Sequence, residues 1–349
     1  MKHILLVGAG HAHAVALRSF AMKPLYGARV TVVAPAAKQL YSGMLPGVVA
    51  GHYRRHHAEI DVARLAEAAY AELVAGSVVG LDAGRRIARL ADGAEIAYDL
   101  ASLNAGSLAD TSVPGAAEHA VQVKPFDRFV RELRFPPRVA LAGGGAAGAE
   151  LAMAFRHRGC AVTLYSERSS FPPRLEREVS FILRRSGVDF RPGMAVSALE
   201  PGPVVISGAA RQEFDLVVWT TGAVALPWLA RAGLQNDERG FVLVDATLRS
   251  VSHPEVFAVG DCATLRGAPH PKSGLYSVRH GGVLAENLRR SIGEMPLRAY
   301  RPQRRGLILL SCGARHAIAS RGGWTAGGRW VWYWKDWIDR RWVRQLAVR

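Results

Sequence analysis

Cysteine is scarce in this chain of 349 residues: there are three, Cys160, Cys262 and Cys312. None stands in a C-x-x-C or C-x-x-x-x-C spacing, which excludes a local zinc site and a neighbouring dithiol pair. Three scattered thiols fit a reducing cytoplasm. Long hydrophobic runs are also lacking. The first, residues 4–7, spans four positions before a glycine turn and does not read as a signal peptide. No stretch approaches the ~20 uninterrupted apolar residues of a membrane-spanning helix. Any membrane contact is therefore expected to be peripheral, on the inner face of the cell membrane.

Acids are few, with 29 Asp plus Glu against 45 Lys plus Arg and a formal net charge of +16. Such a field favours polyanions, whether nucleic acid, anionic lipid or phosphorylated ligands. The excess is concentrated in residues 301–349, which hold eleven basic residues against two acids, and six of the eight Trp. The rest is ordinary for a globular protein, 49% hydrophobic and 21% charged, and the length suits about two domains at ~100–200 residues each.

Residues 4–7 (Ile-Leu-Leu-Val) form a continuous apolar run of the buried parallel-strand kind. A Gly8-Ala9-Gly10 turn, a helical pattern to about Met22 and a second apolar run at 29–34 complete a βαβ unit. The pattern returns about 135 residues later, at Gly143: strand 138–142, turn 143–145, helix 146–158 and strand 161–165. This internal repeat predicts an α/β protein with two Rossmann-like dinucleotide-binding domains.

The second turn carries the fuller fingerprint. In Gly143-x-Gly145-x-x-Gly148-x-Glu150, Gly143 permits the tight turn, Gly145 lets backbone approach a pyrophosphate, and Gly148 lets helix pack on strand. The helix N-terminus then faces the phosphates. At the end of the next strand Glu167 suits the ribose hydroxyls of NADH, whereas Ser166 and Arg168 suit the 2′-phosphate of NADPH. The first turn is less regular: Gly8-x-Gly10-x-x-His13 has His in place of the third Gly, and strand two ends in Ala34-Pro35 without an acid. His11 and His13 read as packing or cofactor-lining residues, since no third metal ligand stands near them. Farther on, the apolar run 256–259 ends in Gly260-Asp261, which puts a carboxylate at the carboxyl end of a strand, where doubly wound sheets bind ligands.

These residues resemble the flavoproteins of the pyridine nucleotide–disulfide oxidoreductase superfamily. The resemblance implies that Asp261 and Gly260 meet the ribityl chain of FAD. It also implies that Asn104-Ala105-Gly106 and Thr220-Thr221-Gly222 are the turns linking an inserted NAD(P)H domain to the FAD domain. The implied layout is FAD domain at 1–110 and 245–305, NAD(P) domain at 111–244, and a segment 306–349 that meets a membrane or an interface. In place of a C-x-x-x-x-C pair the chain has Tyr41-Ser42-Gly43-Met44-Leu45-Pro46-Gly47, similar to the segment over the flavin in type II NADH dehydrogenases and sulfide:quinone reductases. Pro271-Lys272-Ser273-Gly274-Leu275-Tyr276 resembles a turn beside the isoalloxazine, which implies a fixed-cation role for Lys272 and makes Tyr41, Gly274 and Tyr276 lining residues. With G-H-x-H, V-K-P-x-D-R-F and W-K-D-W-I-D-R-R, the whole chain is similar to the flavoprotein module found N-terminal to selenophosphate synthetase in some organisms.

The implied chemistry is hydride transfer from NAD(P)H to FAD, then electron transfer to an acceptor, quinone foremost. The alternatives are sulfide or selenide oxidation with Cys160 or Cys312 as sulfur carrier, and a flavin-dependent redox sensor that binds a partner. Past about Gly327 the tail reads as an amphipathic helix. Trp330, Tyr333, Trp334, Trp337, Ile338, Trp342 and Leu346 share one face, with Lys335, Asp336, Asp339, Arg340 and Arg344 opposite. That composition suits the interfacial zone of a membrane. The competing readings are packing on the body or a homodimer interface; a nucleic-acid groove ranks last for want of a motif.

Overall fold

The computed structural model describes residues 1–303 and 306–348. Arg304, Arg305 and Arg349, counted above in the tail's charge, lie outside them, as does the boundary at 305. Two five-stranded parallel sheets organise the molecule. In the first, the order is Val256–Ala258, Leu100–Leu103, Lys2–Val7, Ala28–Ala34, Ala71–Ala75. In the second it is Val121–Gln122, Leu216–Trp219, Arg138–Ala142, Ala161–Ser166, Asp189–Pro192. The two orders correspond strand for strand. Each sheet also sends a three-stranded antiparallel excursion, residues 78–97 before Leu100–Leu103 in one and 198–213 before Leu216–Trp219 in the other. The repeat legible as one βαβ unit thus runs through both halves.

Continuous apolar runs become the central strands because both faces are covered. Ile4, Leu5 and Leu6 have no exposed surface, and Leu5 registers between Thr31 and Ala101. The helix His11–Met22 packs on the long helix Gly274–Ile292, close enough that a Cβ on Gly281 would stand 2.6 Å from the Ala12 carbonyl oxygen. Between the sheets the chain crosses twice, side by side: Leu108 and Val224 exchange backbone hydrogen bonds of 3.0 Å. The Trp219 indole and the Thr221 hydroxyl both donate to the Asp110 carbonyl.

The tail departs from a single amphipathic segment. It opens with an antiparallel sheet, Ile308–Ser311, Ala317–Arg321 and Trp324–Gly328, followed by the helix Arg329–Leu346. This sheet shares a hydrophobic core with the helix Ala146–His157 and with residues 40–58. The structure also decides which face of the helix turns inward. Val331, Trp332, Lys335, Asp339 and Leu346 are its buried residues, whereas Trp330, Tyr333 and Trp337 are about half exposed. Hydropathy assigns charged side chains to solvent by default; here the Lys335–Asp339 pair, at 2.6 Å, is buried because each charge satisfies the other.

Candidate functional site

At the first turn Gly8 has φ +82°, and a Cβ there would meet the Asn104 carbonyl oxygen at 2.6 Å. Gly10 lies against the Asn104 side chain in the same way. His13 explains the missing third glycine. Its ring is fully buried between the Gly8 carbonyl and the Ser102 hydroxyl (2.8 Å), and its backbone N–H donates to Asn104 Oδ1. The cofactor-lining reading of His13 is therefore corrected: with both ring nitrogens engaged by the protein, it braces the turn. Asn104 also donates to the Val259 carbonyl at 3.0 Å, tying the turn to the strand end that carries Gly260 and Asp261.

His11 is different. Its Nε2 is buried with no hydrogen-bond partner. Burial lowers its pKa to about 4, with Asp261 and Lys124 in electrostatic reach, so the neutral ring has a free polar atom facing the site. Asp261 receives the Lys124 ammonium at 2.7 Å and the Ser107 hydroxyl at 3.3 Å, both on Oδ2. Burial raises the Asp261 carboxyl, but Lys124 and then His11 and Lys272 outweigh it, and the pKa ends below the usual carboxylate value. Gly106 (φ +79°) faces open space, while Ala105 packs against the hydrophobic core around the first sheet. A glycine turn at a helix N-terminus, an orphaned imidazole nitrogen and a carboxylate with one uncommitted oxygen fit a dinucleotide cofactor such as FAD.

The second turn keeps the full glycine logic. Gly143 has φ +109°, and a Cβ on Gly148 would fall 1.7 Å from the Gly143 carbonyl oxygen, so strand and helix approach as the motif requires. Gly145 has only the Ser170 hydroxyl nearby, at 3.4 Å, an open cradle. Beside it lies a cavity of about 180 Å³ lined by Gly144, Ser166, Glu167, Ser169 and Glu176 over Phe171, Val179, Leu183 and Phe190. This suits the adenosine half of a nicotinamide cofactor: an apolar floor with a polar rim. Gly222 (φ +42°) sits in the crossover, where its Cβ position touches Asp110.

Glu150, on the helix that follows this turn, makes its hydrogen bond to the tail segment. Its Oε1 accepts the Ser311 N–H at 2.7 Å, so it looks toward the tail. Burial raises its pKa to about 7, against the opposing pull of Lys335 and of that hydrogen bond. Lys335 donates both to Asp339 and to the Gly43 carbonyl (2.7 Å), and Asp339 accepts the Tyr41 hydroxyl at 3.2 Å. Trp342 lies over the Tyr41 ring at 4.4 Å, and His11 meets both rings at 5.4 Å. Burial, and then Asp339, push the Tyr41 phenol well above its usual pKa, so it stays protonated. The tail helix thereby closes over the segment 41–47 with its polar side chains.

Gly274 adjoins this segment, a Cβ there standing 3.6 Å from the Ser42 hydroxyl. Lys272, however, does not present a free ammonium. Its Nζ donates to the Ala263 carbonyl and the Thr264 hydroxyl (2.9 Å) and lies 3.9 Å over the Phe241 ring. Burial lowers its pKa to about 8, partly offset by Cys262, Asp237 and Asp261. Tyr276 stacks on His270 at 4.1 Å. Behind it the Gly260 N–H donates to His280 Nδ1, which leaves His280 Nε2 to donate to His270 Nε2 at 3.2 Å. Sequence reasoning missed this histidine pair, Lys124, and the bracing roles of Asn104, Lys335 and Asp339. For Lys124 and the tail pair the signal was present only as unexplained motif letters. The three thiols are buried, and burial raises Cys160 and Cys312, which leaves neither disposed to carry sulfur.

Residues 2–281 match the family model described as pyridine nucleotide-disulphide oxidoreductase. The ferroptosis suppressor protein 1 of Taeniopygia guttata is 27% identical over 274 residues, 72% of each chain. A NADH dehydrogenase-like protein of Mycobacterium tuberculosis is 27% identical over 260 residues, 65% of each chain. Among solved structures, the sulfide:quinone oxidoreductase of Aquifex aeolicus superposes with a TM-score of 0.82 at 16% identity, covering 99% of this chain and 91% of that one. NDH2 of Plasmodium falciparum, solved with NADH, gives 0.82 at 12% identity, with 98% and 96% covered.

Proposed function

The chain belongs to the pyridine nucleotide-disulphide oxidoreductase family and is an FAD-dependent NAD(P)H oxidoreductase; on that premise we propose that it takes electrons from NADH and delivers them to a quinone at a membrane surface. The observation that carries this reading is the orientation of the C-terminal helix. Its charged residues close over segment 41–47, while Trp330, Tyr333 and Trp337 face outward with Trp324. Half-exposed tryptophans in a row are costly in water and at home in the interfacial zone of a bilayer. Arg341 and Arg344 continue the exposed stripe and, with Arg18, Met22 and Trp337, line an open hollow, which adds attraction to anionic headgroups. The relatives named for NADH dehydrogenation and for sulfide:quinone oxidoreduction point the same way.

FAD, when bound, supplies the group that accepts hydride and passes electrons on. The chain's own residues bind, select and hold protons. Gly143, Gly145 and Gly148 open the helix N-terminus to a pyrophosphate. Glu167 and Glu176 line the adenosine cavity and the Arg168 guanidinium pairs with Glu167 at 3.6 Å, so a 2′-phosphate would meet more negative than positive charge. NADH should therefore be preferred over NADPH by at least about tenfold, the size of one unfavourable charge contact. Reducing a quinone to a quinol consumes protons, and Glu150 at about 7 keeps one exchangeable at neutral pH. Tyr41, held on Asp339, is the second proton holder.

The test is anaerobic titration of the purified, FAD-loaded protein. NADH should bleach the flavin absorbance once, and a soluble quinone should then restore it and sustain many turnovers. A flavin that bleaches and is not reoxidised by quinone would overturn the acceptor assignment and favour a redox sensor.

A further inference from the structure

The outer strands of the two sheets, Val256–Ala258 and Val121–Gln122, hold equivalent places, parallel to Leu100–Leu103 and Leu216–Trp219 respectively. Asp261 follows the first at its carboxyl end, and Lys124 follows the second. The two ends meet. Lys124 Nζ donates to Asp261 Oδ2 and to Ser107 Oγ, each at 2.7 Å, with the Lys124 and Asp261 side chains 25% and 18% exposed. Every protein contact of this carboxylate falls on Oδ2; among the described residues Oδ1 has none. The orphaned Nε2 of His11 is in electrostatic reach of both partners.

A partly buried ion pair gains little by itself, because desolvation offsets much of its attraction. An ion pair with one free carboxylate oxygen, beside an unpartnered buried nitrogen, points to a polar ligand between them. We propose that Lys124 is a positioning residue of the flavin site: from the second unit it clamps Asp261 through Oδ2, so that Oδ1 is presented to FAD only when the two units are docked. The inference rests on the reading of Asp261 as the ribityl ligand. Lys124 compensates the Asp261 carboxylate, whereas the Lys272 ammonium donates to the neutral Ala263 carbonyl and Thr264 hydroxyl. FAD, when bound, would take up a hydride (two electrons and one proton) and with it one negative charge. Without the Lys124 ammonium the Asp261 carboxylate would stand uncompensated beside the cofactor and disfavour that added negative charge.

The experiment compares the full-length protein with Lys124→Met, Lys124→Arg, Asp261→Asn and the Lys124→Met/Asp261→Asn double variant. Two quantities are read: the dissociation constant for FAD, by fluorescence, and the two-electron midpoint potential of the bound flavin. Lys124→Met should weaken FAD binding about tenfold, the loss of one charge-assisted contact, and shift the potential downward. Lys124→Arg should recover most of both. The double variant should lose less than the two single losses combined, because both act through one contact. If the methionine variant does not fold, Lys124→Gln reads the same quantities. Wild-type affinity and potential in the neutral variants, or strictly additive losses, would overturn the proposal. So would unchanged FAD affinity in Asp261→Asn. Failure of the wild-type chain to bind FAD at all would instead strike the flavoprotein reading itself.

Discussion

Gly145 and Gly148 stand three residues apart and play separate roles. A side chain at Gly145 meets only the far end of Ser170, whereas one at Gly148 collides with the backbone of Gly143. Gly145→Val should leave thermal stability and bound flavin unchanged while raising the KM for NADH. Gly148→Ala should lower the melting temperature, because strand and helix must part. Glu150 gives a pH-dependent case. Its folded pKa, about 7, lies above the ordinary 4.5, so the folded state binds the proton more tightly and stability falls as pH rises between these values. Glu150→Gln removes that penalty. Its melting temperature should exceed the parent's at about pH 8, and the gain should vanish toward pH 4.5. A constant difference across this range would refute the raised pKa.

The C-terminal helix is the element on which the membrane reading depends, and its orientation separates two classes of residue. Deleting it would strip Val331, Trp332 and Leu346 from two cores and would harm every activity alike. Replacing its outward residues is the cleaner probe. Trp330→Ser, Tyr333→Ser and Trp337→Ser together should change the melting temperature little, weaken binding to vesicles and slow reduction of a lipophilic quinone, while a water-soluble acceptor is reduced as before. Equal loss with both acceptors would mean that these aromatics serve the fold or a subunit contact. On the inward face, Lys335→Met leaves Asp339 buried without its partner, a cost of about 3–5 kcal/mol. Lys335→Met/Asp339→Leu should restore much of that stability, measured by chemical denaturation.

Over the whole molecule the charge of +16 is skewed toward the end that carries the exposed tryptophans. Attraction to an anionic surface then adds to aromatic insertion. Binding to vesicles of mixed anionic and zwitterionic lipid should weaken markedly between about 0.1 and 1 M salt, as the screening length contracts from about 10 Å to about 3 Å. Purely zwitterionic vesicles should bind more weakly and respond less to salt. Salt-independent binding would leave the aromatics alone as the cause. Among the described residues no helix is long and apolar enough to cross a membrane.

The amino-acid sequence by itself determined what depends on short-range pattern. Buried strands read as continuous apolar runs, the second turn showed its three glycines, and the repeat of strand, turn and helix announced two similar units. Each is legible because neighbours in the chain are neighbours in space. Hydropathy could also mark the tail helix, but not which way it faces. Lys335 and Asp339 belong inside only because they neutralise each other and meet Gly43 and Tyr41, nearly 300 residues earlier in the chain. His13 likewise became a brace once Ser102 closed on its ring. Lys124 and Asp261 are 137 positions apart, and nothing local marks them as partners. Tertiary structure decided these roles because a charge takes its meaning from the group that compensates it, and compensation across sheets is a matter of topology.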